Sequence, residues 1–146
     1  MNSAQICLRP ASQEDVPFLL KLRGQTMNPH LLASGLIPSV EEDMRRVLLR
    51  LDCAEVILLA NEPVGLLKVS RDGMDWDLIQ IQLALSLQGQ GFGAQLIQSV
   101  ISEARDAGAS LKLDVLKANP ARRLYERLGF TVIADTAHLF EMRLKP

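Results

Sequence analysis

The chain predicts an α+β fold built on a mixed central sheet of about seven strands flanked by helices. Three observations carry this reading. The elements run strand, helix, helix, three strands in meander, helix, strand, helix, two strands. The meander calls for antiparallel neighbours, whereas the strand–helix–strand unit behind it calls for a parallel pair. A glycine-rich segment, Gln88-Gly89-Gln90-Gly91-Phe92-Gly93-Ala94, joins the two halves.

Ile6-Cys7-Leu8, with Arg9-Pro10, forms the first strand of this reading. Ser12 caps a helix whose first turn carries Glu14 and Asp15, and Gly24 is expected to stop it. Met27 to His30 is irregular, and residues 31–35 allow one short helical turn. Ser39 and Glu42 make a capping box, behind which Met44, Val47, Leu48 and Leu51 repeat at helical spacing. Ala54 to Ala60 and Pro63 to Val69 are strands, with Asn61-Glu62 as the turn between them. Arg71-Asp72-Gly73 turns the chain into a fourth strand, Met74 to Leu85. Leu96, Ile97, Val100, Ile101 and Ala104 mark one face of a helix that ends at Gly108. Leu111 to Leu116 is the fifth strand. Asn119 and Pro120 start a last helix, with Gly129 at its end. Phe130 to Ala134 and Leu139 to Leu144 close the sheet.

A length of 146 residues, with no repeat or linker, predicts a single domain over 1–146. The formal net charge of -1 offers no electrostatic footing for nucleic acid or an anionic membrane. No stretch approaches the roughly 20 apolar residues of a membrane span. Met1 to Gln5 has neither a basic nor a long apolar region, so no signal peptide is expected and the cytoplasm is the default location. Cys7 and Cys53 are expected to be buried thiols, and two histidines are too few for a metal cluster. No metal is expected. No Ser or Cys lies in a triad-like context that would suggest a covalent intermediate.

The glycine segment carries the most chemistry. An apolar strand precedes it and an amphipathic helix follows it. Glycines let the backbone turn tightly and approach a ligand. The first helical amides lack intrahelical acceptors, and the helix dipole makes that end positive. The result is a cradle for phosphate or pyrophosphate. A P-loop is excluded, because no Gly-Lys-Ser/Thr follows. Gly89, Gly91 and Ala94 satisfy a relaxed dinucleotide pattern, with Asp114 some 20 residues on. Only 32 residues remain after Asp114, too few to complete that fold, and Asp114 sits inside an apolar run.

Gln88-x-x-Gly91-x-Gly93 resembles the Q/R-x-x-G-x-G/A acyl-CoA signature of the GNAT acyltransferase superfamily. Asn119-Pro120-Ala121-Arg122-Arg123-Leu124-Tyr125-Glu126-Arg127-Leu128-Gly129-Phe130 resembles its N-x-x-A-x-x-L-Y-x-x-x-G-F block, with Ala121 one position early. The element order also fits that superfamily along the whole chain. The resemblance implies a GNAT-like acyl-CoA N-acyltransferase fold. It implies an acetyl-CoA-dependent N-acetyltransferase that passes acetyl directly to a primary amine of a small molecule or amino acid. By position, the coenzyme pyrophosphate falls to the amides of Gln88, Gly89, Gln90, Gly91, Gly93 and Ala94. The pantetheine arm falls to main-chain groups around Leu83 and Leu85. Asn119 caps its helix and can also touch the coenzyme. Arg122 and Arg123 are either solvated helix charges or phosphate contacts.

Tyr125 is the catalytic residue the resemblance implies, a proton donor to the departing thiolate. A phenol titrates near 10 and a thiol near 8.5, so Tyr125 stays protonated at neutral pH. Spacing alone would make it a packing aromatic, since Ala121, Leu124, Tyr125 and Leu128 share one face. The base is open. Ile79 and Gln80 stand where many relatives carry a Glu. Gln80 or Gln82 holding a relay water, Asp75, Asp77, Glu62 and His30 are the alternatives. Trp76 is either core or acceptor wall. Many similar proteins are homodimers, although no sequence stripe shows an interface. The competing reading is a non-catalytic acyl-CoA-binding module or a protein amino-group acetyltransferase.

Overall fold

The computed structural model describes residues 5–146. Residues 1–4, which belong to the Met1 to Gln5 segment where no signal peptide is expected, lie outside the described residues. Seven strands form one sheet: β1 (Ile6–Pro10), β2 (Ala54–Leu59), β3 (Glu62–Ser70), β4 (Asp75–Leu83), β5 (Ser110–Leu116), β6 (Thr131–Asp135) and β7 (Leu139–Leu144). Their order is β1-β2-β3-β4-β5-β7-β6. Every pairing is antiparallel except β4 with β5. The expected mixed α+β sheet is therefore present, with its parallel pair where the strand–helix–strand unit demanded one.

Helices cover both faces. α4 (Phe92–Asp106) lays Leu96, Ile97, Val100, Ile101 and Ala104 on one face, against Leu67, Val69, Leu78 and Leu113. Each such aliphatic side chain contributes about 1.5–3 kcal/mol on burial. The Ala109 amide closes α4 on the Ala104 carbonyl at 2.8 Å, the expected stop at Gly108. On the other face lie α1 (Val16–Thr26) and α3 (Val40–Leu48), with Leu19, Leu22 and Val47 packed on Ala54 and Leu66. α2 (Asn28–Ala33) connects them, and α5 (Ala121–Arg127) follows β5.

Several local expectations are corrected. Gly24 does not stop α1, which runs to Thr26. Burial of Leu22, Arg23 and Thr26 outweighs the roughly 1 kcal/mol a helical glycine costs. Residues 28–30 are helical, because Pro29 suits a first turn. The β2–β3 turn is Ala60-Asn61, both at positive φ (51° and 67°), one residue earlier than read. β4 ends at Leu83, and Leu85 lies in the 3-10 turn Leu85–Leu87. Cys7 is exposed on edge strand β1 and Cys53 is half-buried, so neither is a core thiol.

Two buried cations fix the α1–α3 face. Arg23 donates to Asp43 at 3.1 Å, tying α1 to α3. Lys68, fully buried on β3, donates to the carbonyls of Arg46, Val47 and Leu49 at 3.0, 3.1 and 2.5 Å. It thereby supplies partners that the end of a helix lacks. No helix among the described residues is long and apolar enough to cross a membrane.

Candidate active site

β4 and β5 pair only from Asp75↔Ser110 to Leu78↔Leu113 and then separate. The cause is local. Against β3, Lys68 faces Gln80 and Val69 faces Leu78, which leaves Ile79 without a partner. This one-residue bulge twists β4 away from β5. It also changes the phase of the strand. Gln82, Gln80 and Asp77 face Leu66, Lys68 and Ser70, so all three lie on the α1–α3 face.

The edge opened by the split has a defined polarity. The Ala84 amide donates to the Val64 carbonyl at 2.8 Å, continuing the β3–β4 ladder. Alternation in an antiparallel pair then turns the main-chain groups of Ile81 and Leu83 toward the gap. The Leu83 carbonyl accepts from Gln88 Nε2 at 3.1 Å. The Leu83 amide and both polar groups of Ile81 face no strand. Leu85 lies beyond this edge, 59% exposed.

At the end of β4 the chain makes the glycine turn. Gly89 and Gly91 sit at φ +79° and +87°, a region side chains disfavour, and a Cβ on either would meet nothing within 4 Å. Gln90 Nε2 donates to the Ser86 carbonyl at 2.9 Å, and the Gln88 amide to the Leu85 carbonyl at 3.3 Å. Both glutamines thus brace the turn. Among the described residues, the amides from Gly89 to Ala94 have no acceptor. Six open donors stand at the positive end of a 15-residue helix on unobstructed backbone, an arrangement suited to an anion.

A cavity of about 400 Å³ occupies the gap between the strands. Ile79 to Gln82 of β4 and Asp114 to Leu116 of β5 line it, with Tyr125 and Asn119 behind. α1, α2 and α3 wall the far side. His138 Nδ1 lies 3.0 Å from the Ser34 carbonyl, joining the β6–β7 turn to the end of α2 across its rim. Tyr125 is 7% exposed, held by α5 against Phe130 with ring centroids 5.9 Å apart. Among the described residues its hydroxyl has no hydrogen-bond partner. Burial pushes its pKa up to about 12. Asn119 accepts the Ala121 amide at 2.9 Å, the expected cap.

The proposed bases separate. Gln80 and Gln82 reach the cavity wall, each more than nine-tenths buried and with Oε1 unpartnered. Asp75 pairs with Arg143 at 3.2 Å, outside the cavity. Asp77 lies half-buried nearby, and Glu62 and His30 stand away from the lining. Trp76 is core: it is 7% exposed and donates to the Gly73 carbonyl at 3.1 Å. Arg122 stacks over Phe140 at 4.8 Å, and Arg123 is exposed. Among the described residues no three metal-ligating side chains converge.

Four charged lining residues escaped the sequence reading as site residues: Arg23, Glu42, Arg46 and Asp114. Partial burial, with Glu141 opposite on β7, holds the Asp114 carboxyl above its usual range. Alternation along Leu111-Lys112-Leu113-Asp114-Val115 was the available signal, since it puts Asp114 off the core face.

Comparison with solved structures places this architecture. The N-acetyltransferase PaiA of Thermoplasma acidophilum, solved with coenzyme A, aligns with a TM-score of 0.78 at 17% identity, covering 97% of this chain and 99% of its own. An acetyltransferase of Thermus thermophilus aligns at 0.76 and 23% identity, over 97% of each chain. The ribosomal-protein-S18-alanine N-acetyltransferase of Escherichia coli aligns at 0.71 and 17%, covering 97% and 94%. At these identities the likeness is one of fold. A comparison with curated proteins returns no match. The sequence model of the acetyltransferase (GNAT) domain matches residues 38–141, a span that contains the bulge, the split strands, the glycine turn and Tyr125. The chain belongs to the GNAT acetyltransferase family.

Proposed function

We propose that the protein is an acetyl-CoA-dependent N-acetyltransferase acting on a primary amine in the cytoplasm, as one domain over 1–146. The observation that carries this reading is the succession of three features. The six open amides of the glycine turn follow the unpaired edge of β4, and Ile79 to Gln82 of that strand line the cavity beside Tyr125.

The residues fit the coenzyme. Gly89 to Ala94 receive the pyrophosphate on main-chain donors, and the open space at Gly89 and Gly91 admits it. Ile81 and Leu83 pair with the amides of the pantetheine arm as an added strand would. Asn119 and the turn around Leu85 flank this path. When bound, acetyl-CoA supplies a thioester whose C–S bond breaks as the amine forms its C–N bond.

Asp114 takes the first proton from the arriving ammonium, directly or through a water held by Gln80 and Gln82. A carboxylate lifted above its ordinary range is a better base than a free one. Tyr125 donates a hydrogen bond to the departing sulfur as charge grows there and keeps its own proton. The second amine proton completes the thiol. Asp114 supplies the function of the carboxylate missing from β4.

The test is thiol release from acetyl-CoA by the purified protein across a panel of amines. Amine-dependent release with formation of the N-acetyl product is expected. Saturable acetyl-CoA binding without turnover on any amine would make the protein a coenzyme-binding module instead.

A further inference from the structure

The cavity carries two opposed charges that the fold leaves unspent. On its helical wall, Arg23 is engaged with Asp43 at 3.1 Å. Glu42 is engaged with Arg45 through both oxygens, at 2.9 and 2.5 Å. Arg46 also lines the cavity, yet among the described residues its guanidinium has no carboxylate within 4.0 Å and no hydrogen bond. On the strand wall, Asp114 likewise has no cation within 4.0 Å among the described residues, and Lys112 and Arg46 act on it only from farther off. Between them stand Gln80 and Gln82, 8% and 4% exposed, each with an unpartnered Oε1. Leaving such groups unmet costs free energy that a ligand can recover.

The acceptor that meets all three features is a zwitterion. Resting on the N-acetyltransferase reading, we propose that the cleft takes a free amino acid. Arg46 holds its carboxylate, and its amine lies toward Asp114 and the glutamine oxygens. A guanidinium grips a carboxylate through two parallel N–H donors, which also fixes the orientation of the amine. A diamine would set its second cation against Arg46 and Arg23. An acceptor with anionic groups alone would face Asp114. Leu31, Leu36, Ile37 and Leu139 give the rest of the wall an apolar character, suited to an apolar side chain. The cavity of about 400 Å³ also takes the acetyl end of the coenzyme, and what remains suits a small acceptor.

The Arg46 side chain can be changed without touching the fold, because Lys68 and Gln80 hold this residue by its carbonyl. The experiment compares thiol release with the standard amino acids, their carboxamides, the matching decarboxylated amines and putrescine. It uses the wild type, Arg46→Gln and Arg46→Lys. Apolar amino acids are expected to exceed their amides in kcat/KM by about 10- to 100-fold, the worth of a charged hydrogen-bonded contact. Arg46→Gln should erase that preference through KM rather than kcat, with the unfolding temperature unchanged. Arg46→Lys should restore part of it. Equal use of amides or simple amines, a preference for putrescine, or an unaltered preference in Arg46→Gln would overturn the inference while leaving acetyl transfer intact. Coenzyme binding with no turnover on any compound would instead remove the N-acetyltransferase reading, and the inference with it.

Discussion

Replacing Tyr125 by Phe removes one oxygen from the centre of the proposed chemistry. The ring stays: its burial and its edge contact with Phe130 at 5.9 Å do not involve the hydroxyl. That hydroxyl has no partner among the described residues, so the variant should unfold within about 2 °C of the wild type. The rate effect follows from acidity. With the phenol at about 12, full transfer to a thiolate of ordinary basicity, about 8.5, is uphill by roughly 3.5 pKa units. Tyr125 therefore acts as a hydrogen-bond donor to a growing charge. Such a bond is worth about 1.5–3 kcal/mol, or roughly 10- to 150-fold in kcat. Thiol-release kinetics measure that loss, and calorimetric titration should give an acetyl-CoA Kd within about twofold of the wild type. The same acidity keeps Tyr125 protonated until the pH rises toward about 12, so it should cause no alkaline fall near neutrality. A variant with unchanged kcat and unchanged Kd would refute the donor role.

Three other perturbations address different parts of the account. Gly91→Glu places a side chain at φ +87° and a carboxylate on the open amides. It should weaken acetyl-CoA binding at least about 100-fold by titration, with a strain cost of about 1–2 kcal/mol. Asp114→Asn should lower kcat at least about 10-fold. In the wild type the carboxylate must be ionised, and its pKa is raised, so activity falls as pH drops through a value above the ordinary carboxylate range. That limb should vanish from the pH profile of the Asn variant. Lys68→Met strips the donor from the Arg46, Val47 and Leu49 carbonyls. Scanning calorimetry should show a loss of about 2–4 kcal/mol, or roughly 6–12 °C in Tm.

Much of this was legible in the chain, and the losses have physical causes. Element order and the parallel pair followed from periodicity and from the connection each pairing needs. The glycine turn was visible because few other roles require Gly89, Gly91 and Gly93 so close together. The cleft was not visible. A straight β4 would put Gln80 and Gln82 on the face of Leu78. The bulge at Ile79 moves them to the face of Asp77, and no sequence pattern announces it. Arg46 and Arg23 carry no site signal in the sequence, because the wall they form exists only once α1 and α3 pack on β3. The sequence offers Asp114 only the role of a ribose ligand in another fold. Lys68, in an apolar run, gave no sign that its ammonium would finish a helix 19 to 22 residues upstream.

The most direct test follows the main-chain amides by nuclear magnetic resonance while coenzyme A is titrated into labelled protein. The largest shifts are expected at Gly89 to Ala94 and along Ile81 and Leu83, the open donors of the turn and of the split strand. Shifts confined to other surfaces, with these resonances unmoved at saturation, would contradict this placement of the coenzyme.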